Sequence, residues 1–130
     1  MRSETLTYLK TQNLGSLSIS NDLPFDDSGS PLYLKNVKKV YVDSDQVSSD
    51  PIIQTLGGVN ISNEATSVSV YFTVDAKTLI TNYDTIVSTI KGVKDNVIID
   101  GVHTRSSEIS TEYVDDLLIT SIIITLTKIA

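Results

Sequence analysis

The sequence contains no cysteine, no tryptophan and only one histidine. Without cysteine the chain has no disulfides, no thiolate nucleophile and no thiolate metal ligand. The lone histidine, His103, has neither a second histidine nor a G-x-S-x-G motif to accompany it, although Glu108 or Glu112 offers a carboxylate nearby. This pattern favours a strand-end histidine over a catalytic one, so we expect no enzyme activity and no catalytic residue.

The chain also lacks a basic excess and a long apolar run. Its net charge is −6, which argues against nucleic-acid binding by phosphate neutralisation. A surface past which DNA slides without sticking would also be acidic. The longest apolar stretch, Leu117–Ile124, is interrupted by Thr120 and Ser121 and is too short to span a bilayer. Met1–Thr5 lacks the apolar region of a signal peptide, so we expect no membrane partner.

What the chain has in abundance is β-branched residues. Valine, isoleucine and threonine supply about a third of the sequence, well above average usage, and their stiff side chains favour strands. The length of 130 residues suits one domain, and no linker or internal repeat divides it. We therefore predict a single domain over 1–130, in which 1–16 is either a packed helix or an arm that orders on a neighbour.

Periodicity defines the main elements. Thr66–Asp75 alternates strictly between apolar and polar residues, which predicts a strand with one buried face. Apolar residues then recur at helical spacing over about 79–93, with Gly92 marking the end. Arg105–Val114 and Leu117–Ile129 flank a tight acidic turn and predict a C-terminal β-hairpin whose last strand lies inside the sheet. The predicted fold class is α+β, a mostly antiparallel sheet covered by one main amphipathic helix, with a short N-terminal helical arm.

The remaining predictions are local. A short helix within 3–14 is expected to begin at Ser3 as its N-cap. Asn21–Pro31 is rich in turn residues and predicts a solvated loop. The other expected segments are a brief strand at Leu17–Ile19, a strand at Leu32–Asp43, a polar loop at 43–50, an apolar segment at 52–56 stopped by Gly57-Gly58, and a short strand at 97–102.

Several short patterns partly match known binding sites but lack residues that such sites require. Asp43-Ser-Asp45 is similar to the start of a calcium loop, but Val47 stands at the next ligand position and no glutamate closes the loop. Adjacent carboxylates such as Asp26-Asp27 and Asp115-Asp116 point apart, so they form no shared-proton dyad. Gly57-Gly58 lacks the lysine of a phosphate loop. We therefore expect no metal site and no cofactor.

The order of elements resembles a known family. Three segments carry the resemblance, namely Pro31-Leu-Tyr-Leu34, Tyr71-Phe-Thr-Val-Asp-Ala-Lys77 and the hairpin around Glu112-Tyr113 and Asp116. Together with the single helix they are similar to the tail terminator, or tail completion, proteins of tailed bacteriophages. The similarity covers roughly residues 30–130, and the N-terminal helix looks shorter than is usual in that family.

The resemblance implies a structural virion protein that closes the end of the tail tube. Copies of the chain, expected to be about six, would form a ring through heterologous contacts. The ring would contact the tail tube protein on one side and a head-side connector protein on the other, and DNA would pass through it without sequence-specific binding. The expected location is the tail or neck of the virion, assembled in the host cytoplasm. We hypothesise that loops 22–31 and 43–65 are the main contact surfaces, and the candidate contact residues are Asp26, Asp27, Asp43, Asp45, Asp50, Lys38 and Lys39.

Two alternatives remain open. One is another head–tail connector or neck component of the same kind of particle. The other is a small acidic binding module, such as an immunity-type inhibitor that masks a basic site. A ring-forming protein self-associates, whereas an inhibitor stays monomeric and binds a basic partner at a rate that depends on salt.

Overall fold

The computed structural model describes residues 1–54, 60–77, 82–97 and 101–129. It is an α+β structure that contains one six-stranded, mostly antiparallel sheet. The elements in chain order are α1 (Arg2–Lys10), β1 (Ser18–Ile19), α2 (Leu32–Lys35), β2 (Lys39–Val42), β3 (Gln46–Gln54), β4 (Asn60–Asp75), α3 (Tyr83–Lys91), α4 (Val93–Asn96), β5 (Val102–Val114) and β6 (Leu117–Ile129).

The strands lie in the order β1-β2-β4-β6-β5, and β3 pairs with the first half of β4. Only β1 and β2 are parallel; the other pairs are antiparallel. The final strand β6 lies between β4 and β5, as its apolar residues on both faces predict. Asp115 and Asp116 connect β5 to β6, and Asp115 has a φ of 53°, a conformation that aspartate tolerates better than most residues. The predicted C-terminal hairpin is present.

One face of the sheet carries the hydrophobic core. The alternating residues Val68, Val70, Phe72 and Val74 of β4 are all at most 1% exposed, so the predicted strand and its buried face are confirmed. Their neighbours on β6 continue the same face. The helical segments α1, α3 and α4 complete the core with Leu6, Leu9, Ile86, Val87, Ile90 and Val93.

Helix α3 falls within the predicted range of 79–93, of which 79–81 lie outside the described residues. Asn82 occupies its N-cap position with a φ of 69°, and Gly92 ends it. The chain then makes one more helical turn, α4, before Val97. Half of the strand predicted at 97–102, residues 98–100, lies outside the described residues; Val97 caps α4, and β5 begins at Val102.

Helix α1 is a second full helix that packs on the sheet rather than extending from it. Leu9 is completely buried and Leu6 is 8% exposed, and both belong to the central core. The prediction of a single covering helix was therefore incomplete, because α1 and α3 share that role. The prediction of Ser3 as N-cap was wrong, since the helix begins at Arg2 and Met1 occupies the cap position.

Two predictions for residues 32–54 were also wrong. Leu32–Lys35 forms a helical turn, α2, and the strand begins only at Lys39. The polar loop predicted at 43–50 is confined to Asp43–Asp45, because Gln46–Gln54 forms strand β3 along β4. A strand forms there because the backbone of this segment pairs with β4. The polar sequence by itself does not predict a strand. Gly57-Gly58 lies outside the described residues.

Candidate interaction surfaces

Asp26 organises the loop at Asn21–Pro31. Its Oδ1 accepts hydrogen bonds from the amide of Ser28 at 3.0 Å, the hydroxyl of Ser28 at 2.8 Å and the amide of Ser30 at 2.8 Å. Its Oδ2 lies 3.3 Å from the ammonium of Lys35. The Ser28 hydroxyl and the other donors stabilise the charged carboxylate and lower its pKa from 3.8 to about 2. The ionised side chain therefore fixes the shape of this loop.

The pH dependence of the loop follows from this pKa. Because the folded-state pKa of Asp26 is depressed, its contribution to loop order is present above about pH 4 and is lost as the pH falls toward 2. A carboxyl NMR titration should give Asp26 a midpoint near 2. Ser28→Ala should raise that midpoint, because it removes the strongest donor. A midpoint near 3.8 in the unsubstituted protein would contradict the geometry described above.

The same loop lies on the sheet face opposite the core. The rings of Tyr33 and Tyr71 stack with centroids 4.9 Å apart and an angle of 7° between their planes. Phe25 meets both rings edge-on, at 5.8 and 6.0 Å. Burial, together with the neighbouring Tyr71 and Glu112, raises the pKa of the Tyr33 phenol. Aromatic packing thus covers part of this second face and holds the loop against β4.

Beside these rings is a pocket of about 300 Å³, which we call the acidic pocket. Leu23 and Phe25 remain 46% and 39% exposed there. Its lining residues are Asp22, Leu23, Phe25, Asp26, Asp27 and Leu32. The candidate contact residues Asp26 and Asp27 therefore lie together, next to exposed apolar surface that the sequence pattern did not indicate.

The candidate lysines lie on the β2 side of the sheet. Lys38 and Lys39 are both exposed, and Lys38 adopts a φ of 69° while its amide donates to the carbonyl of Thr73 at 2.9 Å. Lys35, three residues before Lys38, instead pairs with Asp26 of the loop at Asn21–Pro31. Lys35 is therefore separated in its contacts from Lys38 and Lys39, which lie beside β1.

Asp45 makes a contact within its own chain that the sequence did not indicate. Its carboxylate binds the amino terminus of its own chain, 2.9 Å from the nitrogen of Met1 and 2.7 Å from the amide of Arg2. Burial lowers the pKa of the Met1 amine, but the hydrogen bonds that the amine donates to Glu4 and Asp45 outweigh this effect and raise it. The Arg2 guanidinium donates to the carbonyls of Val42 and Asn21, each at 2.8 Å. Together these contacts fasten the start of α1 to the β2–β3 connection.

Reversing the charge at Asp45 is therefore expected to destabilise the fold, whereas the same change two residues earlier is not. Asp45→Lys places a cation against the positive end of α1 and the Met1 amine, which should cost about 1 kcal/mol of unfolding free energy. The matched control is Asp43→Lys, since among the described residues the Asp43 carboxylate accepts only from the adjacent Ser44. Urea denaturation measures both, and equal stabilities for the two variants would contradict the role of Asp45.

The predicted contact residues thus lie in several separate places. Asp26 and Asp27 share the acidic pocket, Asp43 and Asp45 lie in the β2–β3 connection, and Asp50 lies in β3 opposite Asn63. Their role as partner contacts remains a prediction.

Strand β5 forms one edge of the sheet, and the sequence pattern did not mark it as a surface. Within the described ranges no strand pairs with its outer side. Ile109 and Tyr113 on this strand are 40% and 70% exposed. An edge strand with unpaired backbone groups and exposed apolar side chains is a surface for assembly.

A surface groove also lies beside α1. This groove, of about 460 Å³, lies between α1 and Val97; four of its seven described lining residues carry hydroxyls, and Glu4 supplies a carboxylate. Across the parts of the chain that the structure describes, no three potential metal-ligating side chains come together, and no helix is long and apolar enough to cross a membrane. The expectations of no metal, cofactor or catalytic residue stay predictions. No known family model matches the sequence, and no curated protein matches it either.

Proposed function

We propose that the protein is a structural component of a bacteriophage virion that closes the end of the tail tube as a ring of about six copies and joins it to the head-side connector. The proposal combines the family resemblance of the sequence with the surfaces described above. In this role DNA passes through the ring without sequence-specific contacts, which suits a chain with a net charge of −6.

One observation carries the proposal, namely that a single copy presents two different and complementary surfaces. The acidic pocket places Asp22 and Asp27 around exposed apolar side chains, and the β2 side presents Lys38 and Lys39. A closed ring requires a heterologous interface, in which one surface of each copy meets a different surface of the next. Opposite charges across such a contact fix its orientation and disfavour wrong partners.

The test is native mass spectrometry over a concentration series, with electron microscopy of the large species. The unsubstituted protein should give a species near six times the chain mass that appears as a ring. Lys39→Glu and Asp27→Lys should each deplete this species, and the two substitutions together should restore it. Lys77→Glu is the matched control, because Lys77 is 75% exposed and, within the described part of the chain, its ion pair is with Asp116, which is 70% exposed.

Two results would overturn the proposal. One is the absence of any species above twice the chain mass at every concentration. The other is a ring that both single charge reversals leave unchanged, which would show that these surfaces do not form the contact.

The acidic pocket also favours a second candidate function, a small acidic module that masks a basic site on another protein. Carboxylates around an apolar floor suit a lysine or arginine side chain that is flanked by apolar residues. This candidate predicts a protein that forms no ring and binds a basic partner at a rate that falls steeply with salt.

A further inference from the structure

The edges of the sheet are not equally protected against pairing. Strand β1 is only two residues long, and β3 contains Pro51 and an irregular register after it. Short strands, proline and bulges are the usual means by which proteins prevent edge-to-edge association. Strand β5 has its irregularity between Val102 and Thr104, and from there to Val114 it pairs regularly with β6 and contains neither proline nor glycine. Among the described strands, β5 therefore offers the longest regular edge.

The two faces of β5 differ in chemistry. Arg105, Ile109 and Tyr113 lie on the same face as the core residues of β6, since Ile109 pairs with Ile122 and Tyr113 with Leu118. The opposite face carries Glu108 between two serines and Glu112 between Ser110 and Val114. The exposed apolar groups are thus on one side of the edge and the acidic groups on the other.

We propose that the free protein dimerises by antiparallel pairing of β5 with β5 of a second copy, with Ile109 on the two-fold axis. Residues that are directly opposite in such a pair lie on the same face of the sheet. This register pairs the whole regular segment Thr104–Val114 with itself. Ile109 then meets the partner's Ile109, and Tyr113 lies opposite the partner's Arg105.

The Arg105 side chain is held on the apolar side of the edge. Its guanidinium donates to the carbonyl of Val97 at 3.0 Å and to the carbonyl of Lys94, which ties it to the end of α4 on the apolar side of the edge. Arginine held over an aromatic ring gains a cation–π contact, and the exposed Tyr113 ring supplies the aromatic partner.

Charge excludes the neighbouring registers. Centring the pair on Glu108 places Glu108 opposite itself, and centring it on Ser110 places Glu108 opposite the partner's Glu112. Like charges directly opposite each other destabilise a strand pair. In the Ile109 register both glutamates face serines, Glu108 opposite the partner's Ser110 and Glu112 opposite the partner's Ser106. Centring on Ser107 or Thr111 avoids the clash but shortens the regular pairing.

This dimer is independent of the proposed ring. It uses one surface twice, whereas a ring uses two different surfaces on each copy. The two assemblies have different masses, so native mass spectrometry separates the failure of one from the failure of the other.

A cysteine crosslink tests both the contact and its register, because the natural chain has no cysteine. Opposite Cα atoms of an antiparallel pair lie roughly 4.5–5.5 Å apart, within the range of a disulfide. Ile109→Cys should therefore form a disulfide-linked dimer under mild oxidation. Ser107→Cys alone should not, whereas Ser107→Cys mixed with Thr111→Cys should crosslink, since these positions are opposite each other. Crosslinking of Ser107→Cys with itself, or none at Ile109→Cys, would overturn the proposal.

Sedimentation equilibrium of the full chain provides a second measurement. Ile109→Lys places two ammonium groups face to face on the axis and should weaken the dimer by at least about tenfold. Ile123→Lys is the matched control, because Ile123 is also 40% exposed but lies on β6, away from the edge. The proposal is wrong if the unsubstituted protein is monomeric at every concentration, or if the two variants dimerise equally.

Discussion

Leu9→Ala is expected to lower the free energy of unfolding by about 3 kcal/mol. Leu9 is completely buried in the core between α1 and the sheet, so its removal leaves a cavity as well as losing apolar contact. Urea denaturation followed by circular dichroism measures the change, because a single domain of this size is expected to unfold in one cooperative step. The size of the effect decides whether the first helix belongs to the folded domain.

Leu23→Ala is the control for this experiment. It deletes the same atoms from a leucine that is 46% exposed beside the acidic pocket, and it should change stability by less than about 1 kcal/mol. Equal effects of the two substitutions would mean that α1 does not pack on the sheet in solution and acts as an arm.

Ile122→Ala is expected to cost about 3 kcal/mol, whereas Ile123→Ala should cost less than about 1 kcal/mol. The two residues are adjacent on β6 and chemically identical, but Ile122 is fully buried against the helices and Ile123 is 40% exposed on the other face. Successive side chains of a strand point to opposite faces, so the pair compares the two faces of the sheet at one position.

The same denaturation measurement applies to both isoleucine variants. If Ile123→Ala were the more damaging, β6 would be shifted by one residue relative to β4, because such a slip exchanges the faces of every side chain. The observed register of Val70 opposite Ile122 would then be wrong.

Much of the sheet and one helix could be predicted because their patterns are strong. The alternation over Thr66–Asp75 and the apolar stripe after Asn82 each repeat often enough to define a period, and both elements are present. The two apolar faces of Leu117–Ile129 indicated an interior strand, and β6 lies between β4 and β5.

Other elements depend on contacts that are distant in the sequence. The polar segment at 46–54 becomes a strand because the backbone of β4 is available beside it. Leu6 and Leu9 form only a short apolar stripe in the sequence. A helix of nine residues is not stable alone, so the packing of α1 in the core depends on the sheet. Asp45 was assigned to a solvated acidic loop, but it binds the Met1 amine because α1 docks beside β2.

The candidate interaction surfaces also depend partly on local sequence and partly on tertiary contacts. The sequence indicated acidic residues at 22–31, but the exposed apolar floor beside Asp26 and Asp27 arises only where Phe25 folds against Tyr33 and Tyr71. Nothing in the pattern of β5 marked it as an edge, since an edge is defined by which strands lie next to it.

By itself the sequence determined the α+β class, the buried face of β4, helix α3, the closing hairpin and the net charge of −6. These follow from local periodicity and composition, which are properties of neighbouring residues. The tertiary structure decided the strand order, the packing of α1, the capping role of Asp45 and the exposure of Ile109 and Tyr113. The reason is physical: burial, pairing and charge contact depend on distances between segments, and the chain sets those distances only when it folds.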